Sequence, residues 1–168
     1  GTLIEGLELV LYGLKVGDRQ CLSIEPRDAF GFPGMKILQF AFDGNPDNPY
    51  LLDHHNENEV VYTGTHDNNT SLGWFLEDTT EAERALVLGY TGTDGSRIHW
   101  DLIRLAMGSG ADLAVAPHQD LAGLGGDCRM NTPGTGTGNW QWRCAPHFLN
   151  DEIMQRLQHT TRLYNRSQ

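Results

Sequence analysis

Long apolar runs are missing from this chain of 168 residues. None approaches the roughly 18 residues that a membrane-spanning helix needs. A charged stretch followed by an apolar one, the mark of a secretory leader, is missing too. Basic residues are scarce, with 12 Lys and Arg against 22 Asp and Glu and a formal charge of −10. That balance repels phosphate backbones and argues against nucleic acid or anionic membranes as partners, while neutral sugars stay compatible. Cysteine is limited to Cys21, Cys128 and Cys144. An odd number without CxxC spacing predicts reduced thiols in a cytoplasmic protein and no disulfide framework. The chain opens on Gly1 in place of Met, as expected of a processed or truncated product. What is there, 39% apolar and 20% charged residues, suits a folded protein of one domain or two small ones. The oligomeric state stays open.

Periodicity predicts the elements. Leu3, Ile4, Leu7, Val10, Leu11 and Leu14 recur at three- and four-residue steps, an amphipathic helix. Gln20 to Glu25 reads as a short strand closed by Pro26. A strand from Met35 to Phe42, a loop from Asp43 to Asn58 and a strand from Val60 to Thr65 follow. Thr80 and Glu83 form a capping-box pattern before a helix reaching Leu88. Ile98, Leu102 and Leu105 mark another helix, ended by Gly108-Ser109-Gly110. Asp112 to Ala116 is almost continuously apolar, as expected of a parallel strand buried on both faces. A Gly-rich loop leads to a last helix with Ile153, Leu157 and Tyr164 on one face. Alternating strands and helices imply an α/β fold with parallel pairing and right-handed crossovers.

The densest cluster of chemistry is Val60-Val61-Tyr62-Thr63-Gly64-Thr65-His66-Asp67-Asn68-Asn69-Thr70. A β-branched strand ends there in short polar groups, at the end where a β/α barrel carries its catalytic residues. An Asx-rich turn is the plainer alternative. Three further blocks stand in order around it: Phe32-Pro33-Gly34-Met35-Lys36-Ile37-Leu38-Gln39-Phe40-Ala41-Phe42-Asp43, then Asn48-Pro49-Tyr50-Leu51, then Arg129-Met130-Asn131-Thr132-Pro133-Gly134 with Asn139-Trp140-Gln141-Trp142-Arg143. Together, from about Arg27 onward, they resemble the 4-α-glucanotransferases (amylomaltase or disproportionating enzyme, glycoside hydrolase family 77).

The resemblance implies that residues 33–168 are the last three βα units, strands six to eight, of a TIM-type (β/α)8 barrel. It implies retaining transfer of α-1,4-glucan segments between maltooligosaccharides, without a cofactor or metal. Such chemistry needs two carboxyl groups about 5–5.5 Å apart. In the family these follow strands four and five, so this chain is expected to be inactive alone. Asp67 matches the third carboxylate, which grips substrate hydroxyls and stabilises the transition state. His66 matches a histidine bonding the sugar in the cleavage subsite, Phe40 an aromatic beside the acceptor sugars, and Asn131 an active-site asparagine after strand eight. Asn69 departs from the pattern, since an aspartate is usual there. Leu52-Asp53-His54-His55 departs as well, which bears on the acceptor-side loop.

Residues 1–32 resemble the second half of a short FKBP-type peptidyl-prolyl isomerase, through Ile4-Glu5-Gly6-Leu7, Gly13-Leu14-Lys15-Val16-Gly17-Asp18, Ile24-Glu25-Pro26 and Ala29-Phe30-Gly31. That resemblance implies a helix-strand piece in which Leu3, Ile4, Leu7 and Phe30 are a remnant of a proline pocket, or simply helix core. The alternatives to a glucanotransferase fragment are therefore an isomerase or peptide-binding folding helper, or an inactive structural chimera.

Other candidates carry less. Asp43, Asn45 and Asp47 have EF-hand spacing, but Asn48 and His54 stand where glycine and glutamate belong. His54-His55 near Asp53 and Glu57 reads as a polar loop in preference to a metal site. Gly134 to Gly138 lacks the Lys-Ser/Thr of a phosphate loop. Trp140 and Trp142 suit either core packing or sugar stacking.

Overall fold

Three short parallel strands centre the computed structural model of the protein, which describes residues 34–148 and 150–166. The helix expected at Leu3 to Leu14, the strand at Gln20 to Glu25 and the isomerase-like segment with Leu3, Ile4, Leu7 and Phe30 lie outside those residues. Strand β1 (Gly34–Ile37) pairs with β2 (Glu59–Tyr62), and β2 with β3 (Leu113–Val115), in the order β1-β2-β3. The fold is α/β with a parallel sheet.

Between β2 and β3 run a short turn of helix α1 (Ser71–Gly73), a π-helical turn Trp74–Asp78, then α2 (Glu81–Thr91) and α3 (Ile98–Gly108). The capping box is formed: the Thr80 hydroxyl accepts the Glu83 N–H at 3.2 Å, and the Glu83 carboxylate accepts the Thr80 N–H at 2.7 Å. The Thr80 N–H and hydroxyl, each donating to the Glu83 carboxylate at 2.7 Å, hold that carboxyl below the usual carboxylate range. Helix α2 stops at Gly92, whose φ of +66° is left-handed. Helix α3 buries Ile98, Leu102, Ile103 and Ala106, and its stripe meets Val61 and Leu38 in the core. After β3 come α4 (His118–Leu121) and, beyond a long loop, α5 (Asp151–Leu163). Arg166 follows α5 and donates to the carbonyls of Met107, Ser109 and Ala111 at 2.6–2.8 Å. It thereby satisfies acceptors that the end of α3 leaves open.

Because side chains alternate along a strand, the register places Met35, Val60 and Leu113 in one row and Ile37, Tyr62 and Val115 in the next, all on one face. Val61 and Ala114 point the other way, into the helical layer. Two expectations are corrected here. Asp112 to Ala116 is not buried on both faces, since Leu113 and Val115 are 47% and 40% exposed. Among the described residues β3 is an edge strand of the sheet. The strand expected at Met35 to Phe42 stops at Ile37 and tightens into a 3₁₀ turn, Leu38–Phe40. The turn sends Leu38 and Phe42 into the core and the Gln39 amide to the Asn69 carbonyl at 2.9 Å. No helix among the described residues is long and apolar enough to cross a membrane.

Candidate functional site

Strand β2 ends at Tyr62, although the Thr63 N–H still reaches the Val115 carbonyl at 3.2 Å. The following turn is built from its own side chains. The Asn68 carboxamide oxygen accepts the Thr65 N–H at 2.9 Å and the Thr65 hydroxyl at 2.7 Å, an Asx-type closure. That tight loop pushes His66 and Asp67 outward, each about half exposed. The His66 Nε2 lies 3.3 Å from the Asp67 carboxylate.

A second loop meets this turn. The Asn131 carboxamide donates to Asp67 at 2.6 Å, and the Asn131 N–H donates to the His66 carbonyl at 3.1 Å. Arg129 binds both loops, giving Nη2 to the Asp67 carbonyl at 2.7 Å and Nε to the Asn131 carbonyl at 2.8 Å. The Trp140 ring stands 5.0 Å from His66, centroid to centroid. Between the loops opens a cleft of about 160 Å³, lined among others by His66, Asn69, Gln119, Arg129 and Trp140. The structure thus brings His66, Asp67 and Asn131 together. It leaves Phe40 outside the group: that residue sits at the same end of the sheet, but its ring packs edge-on against Tyr50 at 5.5 Å.

The floor beneath the site is a buried carboxylate that sequence reasoning missed. Asp120, 1% exposed, accepts the Thr63 hydroxyl at 2.5 Å, the Ser71 N–H at 2.7 Å and the Ser71 hydroxyl at 2.7 Å. Burial pushes its carboxyl above the usual range, against the three donors, which favour the charged form. The only sequence signal was an acidic residue just after an apolar strand. Asn69 is the second support. Its amide donates to Asp78 at 3.1 Å, its side-chain oxygen accepts the Thr70 N–H at 2.9 Å, and its carbonyl holds Gln39. Gly64 permits that last contact, since a Cβ there would lie 2.6 Å from the Gln39 amide.

Elsewhere the polar clusters serve the backbone. Asp43 and Asn45 accept the N–H groups of Asn45 and Asp47 at 2.9 and 3.0 Å, consecutive Asx turns. His54 and His55 turn to separate carbonyls, Pro46 at 3.1 Å and Tyr50 at 3.0 Å. Among the described residues, no group of three or more His, Cys, Asp or Glu side chains could hold a metal ion.

The sequence profile of glycoside hydrolase family 77, described as 4-alpha-glucanotransferase, matches residues 23–149. The chain belongs to the 4-alpha-glucanotransferase family. It is 54% identical over 142 residues to a 4-alpha-glucanotransferase of Synechocystis, covering 83% of this chain and 28% of that protein. The enzyme of Thermus thermophilus is 46% identical over 139 residues, covering 78% of this chain and 28% of that protein. That of Clostridium butyricum is 35% identical over 180 residues, covering 99% of this chain and 37% of that protein. The chain therefore spans roughly a third of the length of these glucanotransferases. Among solved structures it resembles an amylomaltase from Streptococcus agalactiae in complex with acarbose, with a TM-score of 0.78 and 31% identity over all of this chain and 31% of that one. These relatives favour the glucanotransferase reading over an isomerase or folding helper. The family match begins at Ser23, inside the segment read as isomerase-like.

Proposed function

We propose that the chain contributes the sugar-gripping part of an α-1,4-glucan transferase, with residues 33–168 forming strands six to eight of a (β/α)8 barrel and residues 1–32 preceding them. One observation carries the reading: Asp67, at the carboxyl end of a parallel strand, is locked by Asn131 at 2.6 Å with His66 beside it. A fixed anion there can accept glucose ring hydroxyls and stabilise the positive charge that develops at an oxocarbenium-like transition state. Asn131, already engaged to Asp67, sets the direction of the carboxylate's remaining lone pairs. His66 supplies a ring nitrogen to the same sugar. The acarbose bound to the Streptococcus amylomaltase supports an α-glucan as the ligand class.

In the family's order, nucleophile and acid/base precede the region matched here, so no covalent glucosyl intermediate forms on this chain. Incubation with maltotriose should release no glucose above a heat-killed control. Glucose and longer oligomers in the live sample would overturn that reading. Maltoheptaose at millimolar concentration should shift the His66 ring signals in NMR, and Asp67→Ala should abolish the shift.

A further inference from the structure

Trp140 has a backbone that few tryptophans adopt. Its φ is +63°, and it is 54% exposed beside His66 at the cleft mouth. A bulky residue in the left-handed region is a true outlier, held only where its surroundings fix it. Here they do. The Trp140 N–H donates to the Met130 carbonyl at 2.7 Å, and Arg143 donates to the Trp140 carbonyl at 2.9 Å. On the preceding residue, the Asn139 oxygen accepts the Thr132 N–H at 2.9 Å, while its amide reaches the Thr135 carbonyl at 3.0 Å. The loop therefore spends backbone strain to hold an indole out of the core. Trp142, two residues on, is half-buried by contrast.

We infer that Trp140 is a stacking platform for one glucosyl ring of a maltooligosaccharide, in a subsite adjoining the sugar held by His66 and Asp67. This rests on the glucan reading of the site and goes beyond it by assigning a specificity-determining residue. The chemistry fits. A glucopyranose presents a flat C–H face of low polarity, an exposed indole presents a π-face, and the polar hydroxyl rim stays in the open, wet cleft. The Trp140 ring centroid lies 5.0 Å from that of His66, which places the platform beside the sugar that the His66 ring nitrogen bonds.

The test is a maltoheptaose titration of the full chain followed through the indole N–H signals, with the Trp140 signal assigned by its loss in Trp140→Phe. The Trp140 indole should move together with the His66 ring. Trp140→Gly should weaken binding roughly three- to tenfold, the scale of one aromatic contact. Glycine adopts φ near +60° without strain, so the loop keeps its backbone and the loss belongs to the ring. Trp140→Phe should retain most of the affinity. If the His66 ring moves while the Trp140 indole stays still and Trp140→Gly binds like the parent, the platform is refuted and the glucan site stands. If no signal moves up to the solubility limit of the sugar, both fall.

Discussion

The carboxylate of Asp67 accepts the amide of Asn131 at 2.6 Å although the two residues lie 64 positions apart. That bond ties the turn after β2 to the loop after β3. Asn131→Ala should cost about 1 kcal/mol, since the pair is charge-assisted but largely exposed. It should also speed amide exchange through Thr132 to Trp140. A urea titration and exchange measured on the same sample check both. Unchanged exchange in that loop would show that Arg129 and the backbone bond from Asn131 to His66 hold it without the side-chain bond.

Asp120 should matter more than any exposed carboxylate. Asp120→Ala leaves the Thr63 hydroxyl and the Ser71 amide and hydroxyl buried without an acceptor, at a cost on the order of 3 kcal/mol. Asp120→Asn keeps one acceptor oxygen and should lose about half as much. Denaturant midpoints of the two variants should rank accordingly, and equal midpoints would contradict this account.

Asn69→Asp, which introduces the aspartate that the family resemblance implies there, should destabilise this chain. The Asn69 amide donates to Asp78 at 3.1 Å, and a carboxylate there would lose the donor and face a like charge. The expected loss is about 2 kcal/mol at neutral pH. It should shrink as the pH falls toward about 4, because a carboxyl facing a like charge takes up its proton above the ordinary carboxylate value. Asn69→Asp with Asp78→Asn should recover most of the stability.

Two histidines set a pH dependence. Burial pushes the His55 ring below its ordinary value, and its Nδ1 is buried without a partner among the described residues. Burial lowers His99 as well, helped by the nearby Arg156 charge, and its Nδ1 is likewise buried with no partner among the described residues. Between the depressed folded values and about 6.5 in the unfolded chain, the unfolded state binds more protons. Stability is thus complete above about pH 6.5 and declines as the pH falls through that window. The thermal midpoint should drop between about pH 7.5 and about pH 5.5, and less so in His99→Gln. Asp120, raised by burial, works in the opposite sense, so a flat profile in the parent combined with a rising one in His99→Gln would still reveal the histidine contribution. A parent midpoint that rises on acidification, unchanged in His99→Gln, would rule it out.

The local signals were legible. Thr80 and Glu83 cap their helix because both partners lie within one turn, and the run from Val60 to Asp67 marked the strand by its β-branched and aromatic residues and the following turn by its abrupt polarity. Long-range relations were not. Asp120 finds Ser71 and Thr63 at separations of 49 and 57 residues, with no short motif to mark the pairing. The apolar run at Leu113 to Val115 said strand but could not say edge, because burial depends on neighbours and not on the strand's own residues. Phe40 shares the right end of the sheet, yet a 3₁₀ turn hands its ring to Tyr50. Trp140 stayed ambiguous in sequence because a left-handed backbone is invisible without a glycine to mark it.

The Asp120 junction also sets a timescale. The Ser71 amide proton sits in a bond that opens only when α1 and α4 part, so its exchange with solvent should report the slow opening of the whole unit and not the fraying of one helix.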